Sequence, residues 1–154
     1  MPRRPKLKLL PEPSAATGYV LDDQVGFLLR VAMQRHTSIF MSQMIGDLTQ
    51  TQFAALAKLL EVGPCSQNHL GRLIYLDAST IKGVVDRLQL RGLVATCDDP
   101  NDRRHVTARI TTKGRDLLEK VGNLASNPIE QRFSRLSPDQ LQMLIEALDV
   151  IREG

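Results

Sequence analysis

The sequence predicts a mainly α fold with one small β-hairpin. Three observations carry this. Apolar residues recur at helical spacing through most of the chain. Capping residues and tight polar turns separate the helical stretches. Once, late in the chain, the pattern changes to two short strands around a run of turn-formers. At 154 residues with 42% apolar content, the chain can bury one core of ordinary size. A single domain over residues 21–154 is expected, behind a flexible arm at 1–20.

The elements follow in order. Residues 1–20 are rich in Pro, Lys and Arg and show no periodicity, which reads as a basic arm. The arm lacks the apolar stretch and small-residue cleavage site of a signal peptide, and no apolar run reaches the about 18 residues of a membrane span. A cytoplasmic protein without membrane contact is therefore expected. From Val25 to Gln43, the residues Val25, Leu28, Leu29, Ala32, His36, Ile39 and Phe40 form one helical stripe, and Gly46 is a stop. Thr49-Gln50-Thr51-Gln52 matches a capping box, whose hydroxyl and amide satisfy orphan N–H groups. The helix it starts runs through Phe53, Leu56, Leu59 and Leu60 and ends at Gly63-Pro64. Ser66 caps a short helix, Gln67 to Ile74, and Asp77 caps the next, Ala78 to Leu90, which ends at Gly92.

Residues 93–97 and 105–110 then read as two strands. Asp98-Asp99-Pro100-Asn101-Asp102-Arg103-Arg104 between them forms a charged tip. Thr111 or Thr112 caps a long helix from near Lys113, and Pro128 breaks it near residue 127. Ser137-Pro138-Asp139-Gln140 supplies a cap, a proline at the first helical position and a capping box. The last helix repeats Leu141, Leu144, Ile145, Leu148 and Ile151. Helix, helix, helix, hairpin is the order of a winged helix-turn-helix.

Charge is unevenly spread. Residues 66–115 carry nine basic and five acidic groups, whereas 116–154 carry four basic and seven acidic. A basic block inside a folded region is the footprint of a polyanion partner, or else a solvated face. The helix Ala78–Leu90 separates the two. Ile81, Val84, Val85 and Leu88 share one face, and Ser79, Thr80, Lys82, Gly83, Asp86 and Arg87 the other. Short polar and cationic side chains suit base edges and phosphates in a major groove. Gly83 permits close approach of a second surface. At the hairpin tip, Arg103 and Arg104 suit a narrow minor groove. Asp102 is placed to orient a guanidinium; the bland alternative is a solvated turn with a weak ion pair.

Other classes are disfavoured. There is no P-loop, GxSxG, HExxH or dinucleotide-binding glycine pattern, so neither an enzyme nor a cofactor is expected. His36, His69 and His105 lack metal-ligand spacing, and Cys65 and Cys97 make no disulfide framework. With 4% aromatics and no Trp, the chain lacks the residues of a stacking platform for single strands. A winged helix kept only for protein interaction would favour an acidic recognition face or loss of the wing arginines, and neither is seen.

The segments LTQTQFAALAKLLEVGPCSQNHLGRLI, LDASTIKGVVDRLQLRGLV and DDPNDRRHVTARITTKG resemble the multiple-antibiotic-resistance regulator (MarR) family over Leu48 to Gly114. The resemblance implies a winged helix-turn-helix over about 48–112, flanked by dimerisation helices at 21–46 and 113–154. It implies a homodimer that binds a palindromic double-stranded operator and usually represses, released by a small ligand between its dimer and DNA-binding parts. Carried over by position, Ser79, Thr80, Lys82 and Arg87 face the major groove and Arg103 or Arg104 the minor groove. Ser66, Gln67 and Asn68 meet phosphate at a helix N-terminus. The segment GFLLRVAMQRHTSIF looks like members tied to aromatic-acid degradation, which implies an aromatic carboxylate or its coenzyme A thioester as effector.

Candidate effector residues follow from position. His36 suits a carboxylate or phenol, or is a core histidine satisfied by a neighbouring carbonyl. Arg30 and Arg35 lie off the apolar stripe, solvated or within reach of an anion. Arg72 sits between the turn helices, toward ligand or DNA phosphate. Phe40 and Phe53 are either core or pocket wall. Cys65 precedes a helix N-terminus, where a thiolate is favoured. A cysteine-based redox regulator is therefore the alternative reading.

Overall fold

The computed structural model describes residues 18–102, 105–125 and 135–154. The chain divides into two compact units, Met1–Met33 and Gln34–Gly154. In the first, a 3-10 turn at Leu21–Asp23 leads into α1 (Val25–Gln43), which continues into the second. Then come α2 (Gln50–Val62), β1 (Cys65–Ser66), α3 (Gln67–Leu73), α4 (Ala78–Leu90), β2 (Val94–Asp98), β3 (Val106–Ile110), α5 (Thr112–Ala125) and α6 (Pro138–Glu153). The fold is thus mainly α with a small antiparallel sheet, as expected.

The caps act where the sequence places them. Thr49 closes a full capping box on α2, Ser137 another on α6, and Ser66 and Asp77 cap α3 and α4. Thr111, not Thr112, receives the Gly114 amide at the start of α5. Both strands start one residue later than their apolar runs suggest, and the second ends at Ile110 as expected. Leu93 is taken by the helix end instead, its amide bonding Leu88 O, while its side chain is buried. The expected break at Pro128 and most of the arm lie outside the described residues.

The sheet has a third strand that the sequence reading missed, in the order β1-β3-β2. Cys65 pairs with Ala108 and Ser66 with Thr107, so the entrance to α3 is stitched to the hairpin. Two residues are too few to show a period of two. The core lies among α2, α3, α4 and the sheet. Leu48, Leu56, Leu59, Leu70, Ile81, Val85, Leu88, Leu93 and Val94 are its largest fully buried side chains. Two glycines allow its close approaches. A Cβ on Gly71 would stand 3.0 Å from both Leu76 O and Ile81 Cγ2, and one on Gly114 would stand 2.4 Å from Leu93 O.

Two helices lack cover. The α1 stripe is buried only at Phe40, with Val25 65% and Leu28 50% exposed. No residue of α6 is buried, and Ile145, Leu148 and Ile151 stand open. No described helix is long and apolar enough to cross a membrane.

Candidate nucleic-acid interface

α4 is held by its start and by one face. The Asp77 carboxylate accepts the Thr80 amide and the Ser79 hydroxyl at 2.8 Å and the Thr80 hydroxyl at 2.7 Å. These bonds, led by that from the Thr80 amide, hold its pKa down at about 2. Ile81, Val84, Val85 and Leu88 are buried, as their spacing requires. Ser79, Thr80, Lys82, Asp86 and Arg87 are exposed together on the other face. A Cβ on Gly83 would meet nothing, so the middle of that face is open to a close approach. Lys82 Nζ reaches Asp86 Oδ2 at 2.7 Å, with both side chains at least half exposed. Such a pair is worth about 0.3–0.5 kcal/mol, so the cation is cheaply released to another partner. Ser79 and Thr80 differ, since their hydroxyl protons are already given to Asp77. They offer an incoming surface lone pairs first.

The hairpin stands beside the start of α3. Ser66 accepts the His69 amide at 3.2 Å, and Ser66, Gln67 and Asn68 share a niche of about 20 Å³ with His105 and Val106. That niche is the size of a water molecule. In the tip, Asp102 Oδ2 lies 3.0 Å from His105 Nδ1, and the His105 amide donates to Asp102 O at 2.9 Å. Asp102 thus steadies the wing through His105, a partner the sequence reading did not assign to it. Arg103 and Arg104 lie outside the described residues.

The turn between α3 and α4 carries an oddity. Tyr75 has φ 60 and is 72% exposed. A bulky residue in the left-handed region is an outlier costing about 1–2 kcal/mol, which glycine would avoid.

The effector candidates separate. His36, Phe40 and Phe53 come together. Gln50 Nε2 lies 3.1 Å from His36 Nδ1, Thr37 donates to Gln50 Oε1 at 3.4 Å, and Phe40 meets Phe53 edge-on at 5.6 Å. His36 therefore has the Gln50 side-chain amide as a partner. Phe40 is buried and Phe53 half-buried within the core. Arg30 sits 5.1 Å over the Phe27 ring, Arg35 is exposed, and Arg72 is exposed in the last turn of α3.

Arg91, which the sequence reading passed over, ends α4 and donates to Gly46 O, while Lys113 Nζ donates to Arg91 O at 2.8 Å. Open crevices of about 450 and 490 Å³ flank it, one toward Lys113, Leu117 and Lys120, the other toward Asp47, Gln52 and Leu90. Only the basic-Gly ending of α4 hinted at this junction. Burial pushes the Cys65 thiol up, against the thiolate expected at a helix start. No His, Cys, Asp and Glu cluster able to hold a metal occurs among the described residues.

The MarR family pattern matches residues 48–106, which run from the end of the α1–α2 loop to the first residue of β3. The HTH-type transcriptional repressor NicR of Pseudomonas putida is 42% identical over 126 residues, 81% of this chain and 77% of NicR. The chain belongs to the MarR family. Two solved structures place this MarR-family protein further. A probable transcriptional regulator from Pseudomonas aeruginosa superposes with TM-score 0.80 at 43% identity, covering 86% of this chain and 99% of that one. BpsR of Bordetella bronchiseptica, whose DNA binding is regulated by 6-hydroxynicotinic acid, does so with TM-score 0.79 at 36% identity, over 84% and 99%. The MarR-family protein is thus a winged-helix transcriptional regulator rather than an enzyme.

Proposed function

We propose that the protein is a homodimeric repressor that binds a palindromic operator and is released by a small aromatic acid or its coenzyme A thioester. The observation that carries the DNA part is the exposed face of α4, with its short polar groups, its open glycine and its loosely held lysine. Ser79, Thr80, Lys82 and Arg87 read the major groove, and Ser66, Gln67 and Asn68 meet the backbone. Arg103 or Arg104 reaches the minor groove from the wing tip, with Asp102 beside them to orient it. The open apolar residues of α1 and α6 support the dimer, with residues 21–46 and 113–154 as dimerisation helices and about 48–112 as the winged helix. The effector class rests on the likeness to BpsR. Its contacts are assigned to His36, Phe40 and Phe53, with Arg30, Arg35 and Arg72 as candidate anion partners.

Fluorescence anisotropy with duplexes from upstream of its own and adjacent genes tests this. Each titration is run with and without 6-hydroxynicotinate, other aromatic acids and their coenzyme A thioesters. Specific binding released by one of these classes is the expected result. Specific binding that none of them releases would remove the effector assignment, and no specific binding at any salt would remove the repressor.

A further inference from the structure

We propose that Tyr75 is a DNA-anchoring residue, its phenol donating to a backbone phosphate of the duplex beside the N-terminus of α4. The inference rests on the DNA-binding reading above and adds a residue to it.

The turn does not call for a tyrosine. Leu76 N bonds Gly71 O at 2.8 Å, and that close bond, with Ile81 pressed on Gly71, forces the chain back on itself. Tyr75 at φ 60 takes up the reversal. Gly or Asn does this without strain, and Asp47, at φ 51 in the α1–α2 loop, is of the tolerated short polar kind. Nor does packing repay the strain, because at 72% exposure most of the side chain contacts nothing. Strain without local return is characteristic of functional positions.

Position supplies the use. Tyr75 is two residues before Asp77, the cap of α4, and four before Ser79 on the exposed face. Consecutive Cα atoms are about 3.8 Å apart, so the ring starts within about 8 Å of the cap. A recognition helix meets base edges with its N-terminal residues, which brings the preceding turn to the sugar-phosphate strand. Tyrosine is among the side chains that contact phosphate there. The phenol is neutral, so it anchors without releasing a counterion.

The test compares wild-type protein with Tyr75→Gly and Tyr75→Phe on operator and random duplexes across a salt series, with thermal melts of each. Tyr75→Gly is expected to melt higher than wild type, yet bind both duplexes about fivefold to tenfold more weakly, the range of a neutral hydrogen bond or slightly more. The salt slope stays unchanged. Tyr75→Phe melts like wild type and shows most of the same loss. Wild-type affinity in Tyr75→Gly would overturn the proposal. Wild-type affinity in Tyr75→Phe, with a loss only in Tyr75→Gly, would overturn the phenol contact. Wild-type protein that bound neither duplex would overturn the DNA-binding reading as well, which separates the two failures.

Discussion

Single side chains in this fold are asked to serve two masters, and Asp77 shows it best. Its carboxylate caps α4 and also holds the hydroxyls of Ser79 and Thr80. Its pKa falls from 3.8 to about 2 on folding, so the charged cap stabilises the protein above pH 3.8 and that contribution fades as pH falls toward 2. Asp77→Asn keeps an acceptor but no charge. It should melt below wild type at pH 7, with the gap closing between pH 4 and pH 2 in circular dichroism melts; a constant gap would contradict the charge-based cap. Lys82 makes the complementary case. Lys82→Ala should leave the folding stability within about 0.5 kcal/mol of wild type in thermal melts, because its surface pair is weak. Operator affinity should fall by about 1 kcal/mol or more, and sequence preference should relax if the side chain reads a base. A uniform loss on all sequences would make it a phosphate contact. Gly114 is fixed by bulk alone. Gly114→Ala drives a Cβ to 2.4 Å from the Leu93 carbonyl oxygen and 2.8 Å from Ile110 Cγ1. A cost of about 3 kcal/mol in urea titration is expected, because a backbone atom cannot step aside.

At the scale of elements, legibility tracks how local the cause is. The starts of α2, α3, α4 and α6 were readable because a cap and its recipient amide lie within three residues of each other. The two faces of α4 were readable because a helix of 13 residues repeats its pattern several times. β1 was not, since its two residues become a strand only by pairing with Thr107 and Ala108, some forty positions away. The same holds for the site. The exposed groups of α4 could be named from spacing, but the junction at Arg91 could not. It is made of a loop carbonyl 45 residues earlier and a lysine 22 residues later. His36 is legible as a polar residue on an apolar stripe. Its partner Gln50, 14 residues on, was invisible because nothing in a sequence ties a side-chain amide to a ring nitrogen at that distance.

For the whole molecule, the exposed apolar residues of α1 and α6 are the outstanding account. Val25 and Leu28 on one helix, with Ile145, Leu148 and Ile151 on the other, are unusual for a chain that ends its life alone in water. Light scattering is expected to give twice the 17.2 kDa of the chain. Leu148→Glu should shift it toward the monomer at micromolar concentration, with the α4 cap and its melting signature retained. A wild-type monomer at all concentrations would contradict the dimer. The short β1 has its own consequence at this scale. Because residues 65–66 are paired with the hairpin while residue 66 also caps α3, the wing and the first helix of the reading head are pinned at one shared point. The head then behaves like the jaw of a caliper. In the proposed dimeric repressor, a head tied together in this way favours release of the operator by a change in the distance between two jaws over a change within each jaw.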